Sequence, residues 1–180
     1  MLYRLQQFWL AISSRPQTED LRPAAHILGD RLYALFGQMQ PGEQAHSLKV
    51  LRRVQQHTSS KHDPLEHDLF VAALLHDCGK SRRPIKLWER VWIVLVKAIL
   101  PARAKSWGQA LTAIAQLPFW QQPLVVAEQH ASWGAEMAAR AGASDLSVRL
   151  IRCHQDKLPN QLNDIEKKLL TVLQAADNES

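Results

Sequence analysis

The sequence predicts an all-α fold from three observations. Apolar residues recur at helical spacing, alternating β-branched stretches are scarce, and proline and glycine punctuate the pattern. With 180 residues, 46% of them hydrophobic and 22% charged, the chain has the size and composition of one domain with a real core, spanning 1–180.

The first helix is expected at 2–13, where the apolar "FWLAI" is interrupted by "SSR" and lacks the small-residue cleavage signature of a signal peptide. A second follows at 19–38. Residues 1–41, His26 included, carry no readable chemistry and are expected to pack on the rest or to form a homodimer. Pro41 suits the first turn of a helix at 42–57, on which His46 shares a face with Val50 and Val54. Pro64 opens a helix at 64–78, where "LFVAALLHD" is apolar all round, so His76 and Asp77 should finish a deeply buried helix. His57, His62 and His67 surround the loop between these two helices and are expected in solvent.

Pro84 is placed in the first turn of a helix at 84–100, which Pro101 stops, and a short helix is expected at 108–116. Pro123 opens a helix at 123–141 that aligns His130 with Val126 and Trp133 and ends at Gly142. A helix at 145–155 brings His154 onto the stripe of Leu146, Leu150 and Ile151. The last, 162–177, does the same for Asp177 behind Leu169, Leu170 and Leu173.

Two cysteines, Cys78 and Cys153, without a C-x-x-C pair make no disulfide framework and favour a reducing, cytoplasmic setting. Each adjoins a candidate ligand, and adjacent helical positions face apart, so both read as small core residues. No apolar run reaches the ~20 residues that span a bilayer. The densest, "VWIVLV", is bounded by Arg90 and Lys97.

Four histidines (His46, His76, His130, His154) and two aspartates (Asp77, Asp177) therefore point inward. Burying bare imidazoles and carboxylates costs several kcal/mol each unless something compensates them. One or two divalent metals would compensate all six, because neutral imidazole and carboxylate are the ligands that such ions accept from a helical bundle.

The order His46, His76-Asp77, Asp177 resembles the HD-domain superfamily. "QAHSLKVLRRV", "AALLHDCGK" and "LLTVLQAADNE" look like its three signature helices, and "VVAEQHASWGAEMAARAG" and "SDLSVRLIRCHQ" like the two further histidine helices of its dinuclear members. The resemblance covers about 42–178. It implies a compact helical bundle with His46, His76, Asp77 and Asp177 around one metal, Asp77 bridging, and His130 and His154 holding a second. In ligand order the chain is similar to the bacterial diadenosine tetraphosphate hydrolases of the superfamily, and it lacks the Gly-Tyr-Pro signature of the cyclic-dinucleotide branch. The connection from Asp77 to His130 is longer than compact members use.

Two adjacent metals can lower the pKa of a shared water and neutralise phosphoryl oxygens, so hydrolysis of a phosphoester or phosphoanhydride in a nucleotide or other small phosphorylated molecule is expected. Lys80, behind a Gly79 read as flexible, is placed to reach a phosphoryl oxygen, unless it is simply a solvated lysine at a helix end. The nitrogen and oxygen ligands favour iron or manganese, with zinc, nickel and cobalt also compatible. The same ligand set looks like that of the superfamily's diiron oxygenases, and a regulatory module that holds metal without turnover is the third alternative.

The long connection is basic. From 80 to 105 stand eight Lys and Arg against Glu89 alone, a net +7 in a chain of net +5. Within this insertion (81–108), Lys86, Arg90 and Lys97 lie near one side of a helix. Leu87, Val91, Leu95 and Ala98 lie on another, accompanied by Trp88 and Trp92. Three arrangements stay open: the apolar face packs on the bundle and the basic face meets water, the segment lies on an anionic membrane at the inner surface, or it forms a substrate-gathering wall. Nucleic acid ranks last, since no recognition motif accompanies the charge.

Overall fold

A computed structural model describes residues 16, 18–57, 64–156 and 162–180, the side chains of 18–20 excepted. The expected helix at 2–13 and His62 lie outside the described residues. Within them the chain is helical, with no strand. The α-helices are α1 (Thr18–Phe36), α2 (Pro41–His57), α3 (Pro64–Leu75), α4 (Leu87–Ile99), α5 (Pro101–Gly108), α6 (Gln122–Ala141), α7 (Asp145–Cys153) and α8 (Asp164–Asn178). Short 3₁₀ turns occupy Cys78–Arg82 and Ile114–Gln116. No helix among the described residues is long and apolar enough to cross a membrane.

The helix that is apolar all round is the buried axis of the bundle. Leu69 through Leu75 are at most 5% exposed, and α1, α2, α7 and α8 pack around them. Each of the larger side chains contributes about 1.5–3 kcal/mol by leaving water. α6 covers one end of this axis, touching α1, α7 and the Cys78–Arg82 turn. α1 kinks at Gly29, whose φ of 61° and ψ of 175° suit only a residue without Cβ.

Three expected elements are corrected. α3 stops at Leu75, so His76 and Asp77 stand in a turn, with Asp77 at φ −97° and ψ 0°, a sparsely allowed region. No α-helix covers 108–116. Pro101 both follows α4 and serves as the first residue of α5, because proline's missing N–H costs nothing at that position. Pro84 lies in the link before α4 instead of inside its first turn.

The orientation of α4 excludes the first of its three open arrangements, in which the apolar face packs on the bundle. Its apolar side does not pack on the bundle: Val91, Leu95 and Ala98 are exposed, as are Trp88, Val94 and Ile99. The inner side is formed by Glu89 and Val96, both buried, with Trp92 and Ile93 half-buried. Polar contacts explain the inversion. Glu89 accepts two hydrogen bonds from Arg83, at 2.6 and 3.1 Å, and one from the Lys86 backbone at 2.8 Å. Arg90 donates to the buried Glu43 of α2 at 3.1 Å, and Trp92 Nε1 to the Trp120 carbonyl at 2.8 Å. Val96, Ala104 and Leu124 form a small core beneath α4, walled by Trp92, Trp107 and Trp120.

Candidate metal centre

Five segments bring the six candidate ligands together. α2 supplies His46 and the turn after α3 supplies His76 and Asp77. His130 comes from α6, His154 from the residue capping α7, and Asp177 from the last turn of α8. The imidazoles form a chain: ring centres lie 5.4 Å apart for His46 and His76, 5.2 Å for His76 and His154, and 5.3 Å for His130 and His154.

Three of the four rings have their tautomer set by their own helix. The Nδ1–H of His76 donates to the Ala73 carbonyl at 3.0 Å, that of His130 to Val126 at 2.9 Å, and that of His154 to Ile151 at 2.8 Å. Each Nε2 is thereby left as a bare lone pair facing the interior, the usual preparation of a metal-binding histidine. His76 and His130 are each 1% exposed, and their Nε2 atoms have no hydrogen-bond partner. Such buried atoms cost ~1–3 kcal/mol apiece when left unmatched.

Asp77 lies between two groups of these lone pairs. Its Oδ1 is 3.3 Å from His130 Nε2 and 4.0 Å from His154 Nε2, while its Oδ2 is 3.6 Å from His76 Nε2. Two constellations with the reach of a cation site result, His46–His76–Asp77 and Asp77–His130–His154, sharing the aspartate. Asp177 adjoins the first: its Oδ1 accepts from His46 Nε2 at 2.8 Å and lies 3.5 Å from His76 Nε2. Donor chemistry, orphaned lone pairs and the shared carboxylate all fit divalent metal binding.

The electrostatics are those of a negative pocket among imidazoles. Burial opposes ionisation of Asp77, but Lys80, His76 and His130 outweigh it and hold the carboxyl well below its usual range. Asp177 is also lowered, since His46 and His76 outweigh its burial. Burial disfavours a charged His76, yet Asp77 and Asp177 prevail and raise its pKa. His154 goes the other way, to about 3, through burial and the proximity of His76.

Lys80 is not a solvated helix-end lysine: its Nζ donates to Asp77 Oδ2 from a largely buried position. Gly79 is not a flexible hinge either. Its backbone passes so close to α6 that an added Cβ would lie 2.0 Å from the His130 carbonyl oxygen. Cys78 turns away, its thiol donating to the Gly134 carbonyl at 3.6 Å, and burial together with Asp77 pushes its pKa up to about 12. His26, His57 and His67 are exposed and stand outside the cluster.

Two features escaped the sequence. Glu43, 3% exposed, interacts electrostatically with Lys80 and Asp77, and burial raises its pKa despite Lys80. Its position three residues before His46, on the same helical face, was the available signal. Gln174 braces the end of α7 by donating to the carbonyls of His154, at 3.0 Å, and Asp156, at 2.8 Å.

The cluster opens to solvent through a cleft of about 800 Å³ that reaches His154 and Asp177. Lys97 of α4 and Arg152 line it together with Glu128, Asp156 and Asp177, so its wall carries both signs of charge. Neither the curated proteins nor the solved structures yield a match to this chain. The family model described as HD domain matches residues 44–180. That match begins two residues before His46 and ends after Asp177, taking in the His76-Asp77 turn and both later histidines; the chain belongs to the HD-domain family.

Proposed function

We propose that this protein is a metal-dependent phosphohydrolase whose six clustered residues hold two divalent cations. The observation that carries the proposal is the pair of buried, unpartnered Nε2 atoms on His76 and His130, with the two oxygens of Asp77 divided between them. His46, His76, Asp77 and Asp177 would hold one ion, and Asp77, His130 and His154 the other. Bound there, such ions supply electrophilic charge for phosphoryl oxygens and lower the pKa of a coordinated water.

The remaining chemistry belongs to the chain. The helix carbonyls at Ala73, Val126 and Ile151 keep three imidazoles in the ligating tautomer. Lys80 neutralises Asp77 and brings a cation beside the cluster, where low local dielectric strengthens its pull on a phosphoryl oxygen. Because the cleft wall carries acids as well as Lys97 and Arg152, selection for phosphate falls to Lys80 and the bound ions, and the substrate is a small phosphorylated molecule or nucleotide that fits the cleft. The all nitrogen and oxygen ligand set, with Cys78 turned away, suits iron or manganese and admits zinc, nickel or cobalt.

The test is elemental analysis of wild type, His130→Ala and Asp77→Ala, followed by a phosphoester screen. The expected content is about two ions in wild type, about one in His130→Ala and almost none in Asp77→Ala, with turnover of at least one phosphoester by wild type alone. Absence of metal under every loading condition would end the proposal. Oxygen consumption by iron-loaded protein without phosphoester turnover would replace it with the oxygenase alternative, and retained metal without either activity would leave a regulatory module.

A further inference from the structure

We propose that the outward face of α4 docks on an anionic lipid bilayer. Trp88, Val91, Val94, Leu95 and Ile99 are 50%, 45%, 61%, 50% and 71% exposed, and Leu100 beyond the helix is 41% exposed. At about 100° per residue the five helical positions fall on one side of α4, forming a continuous apolar stripe where a solvent-facing helix carries polar residues. Large apolar patches of this kind on a soluble surface mark a binding face.

The stripe is not the by-product of a loosely placed helix. Glu89, 2% exposed, is locked to Arg83, Arg90 to Glu43, and the Trp92 indole to the Trp120 carbonyl. These contacts, with the small core around Val96, fix Glu89, Trp92 and Val96 on the inner side of α4 and leave the apolar stripe outward.

Charge identifies the occupant. Arg82, Lys86, Lys97, Arg103 and Lys105 are exposed along this segment, and its single acid, Glu89, is buried and neutralised by Arg83. A second copy of the same face would bring like charges together. A bilayer with anionic headgroups matches both parts, accepting the apolar stripe between acyl chains and the basic rim among phosphates, with Trp88 at the boundary. At 13 residues α4 is far short of the ~20 that span a bilayer, so it would lie in the plane of the interface. Lys97 is exposed on α4 and also lines the cleft, so docking would bring that wall of the cleft close to the headgroups. The inference stands apart from the metal chemistry and does not depend on it.

The experiment is co-sedimentation of the full 180-residue chain with phosphatidylcholine vesicles, with and without phosphatidylglycerol, alongside the double variant Val91→Glu, Leu95→Glu. Wild type should pellet with the anionic vesicles and lose binding as salt shortens the Debye length to ~3 Å near 1 M. The double variant should lose at least about tenfold in partition coefficient while keeping its melting temperature, since both sites are exposed. Should that variant fold poorly, quenching of tryptophan emission by brominated lipid, present in wild type and reduced in Trp88→Phe, reads the same contact. No binding at low salt, equal binding by wild type and the double variant, or a wild-type dimer that the variant dissociates without any vesicle binding would each overturn the proposal.

Discussion

Replacing Gly79 with alanine would drive a methyl group into the backbone of α6. The new Cβ would lie 2.0 Å from the His130 carbonyl oxygen, 2.7 Å from the Gly134 nitrogen and 2.9 Å from the His130 carbonyl carbon. Contacts with carbon relax only at about 3.5 Å, so the turn and α6 must separate by ~1.5 Å. No rotamer change can relieve this, because all three atoms are backbone. Overpacking costs ~1–3 kcal/mol where side chains can yield; here the upper end, about 3 kcal/mol, is expected, or ~6–12 °C in Tm for a chain of this size. The movement separates Asp77 from His130, now 3.3 Å apart, so, on the two-metal proposal, metal content should fall as well. Urea unfolding with elemental analysis checks both. Gly37→Ala is the control, since its added Cβ meets only two carbonyl oxygens at 3.5 Å. A Gly79→Ala variant within ~1 kcal/mol of wild type and with wild-type metal content would refute the argument that the turn needs glycine for close approach.

Glu89→Ala leaves the Arg83 guanidinium without its counter-ion and should cost about 3 kcal/mol, at the low end for a buried pair because Arg83 keeps its hydrogen bond to Gln122 at 2.9 Å and some solvent contact. Near-UV circular dichroism should show the Trp92, Trp107 and Trp120 cluster loosening. Burial opposes the charge of Glu89, but Arg83 wins and lowers its pKa below the ordinary 4.5, so this stabilisation is complete above pH 4.5 and is lost as pH falls through the lower folded value. An unfolding midpoint in Glu89→Ala with the same acid sensitivity as wild type would contradict this. Ser144→Ala removes the cap of α7, in which Ser144 Oγ accepts from the Ser147 N–H at 3.1 Å and donates to Asp68 at 2.7 Å; urea titration should show a loss of about 1 kcal/mol. Metal binding should weaken with acid, and early: burial opposes protonation of His76 but its two aspartates raise its pKa above the ordinary 6.5, and a ligand must be neutral. Manganese affinity followed by calorimetry should therefore begin to decline before the falling pH reaches the ordinary imidazole value of 6.5, and a profile that stays flat down to that value would refute the proton competition.

Much of this was legible in the residues. The unbroken apolar run before His76 required a buried helix, since no helix apolar on every side can face water, and α3 is the axis of the bundle. Helical spacing placed His46 on the face of Val50 and Val54, and His154 on that of Leu150 and Ile151, and the HD-domain resemblance, not periodicity, grouped them with the other candidate ligands. Local propensity was also sufficient for the proline starts of α2, α3 and α6 and for the glycine stop at Gly142, whose φ is 94°.

Periodicity says which residues share a face and is silent on which face lies inside. For α4 the apolar stripe was visible, but its direction depended on Glu43, a residue 47 positions before Arg90, and on Arg83 reaching Glu89. Likewise "HDCGK" reads as the end of a helix until α6 lies across Gly79; only then must the chain leave the helix at Leu75 and set Asp77 between two groups of histidines. Composition, helical class and the sharing of a helix face by a histidine and its apolar neighbours are sums over near neighbours, which the sequence contains by itself. The outward turn of α4, the inward turn of Lys80 and the place of Asp77 among His76, His130 and His154 are decided by contacts between distant segments, where burying one charge or excluding one methyl group outweighs local preference.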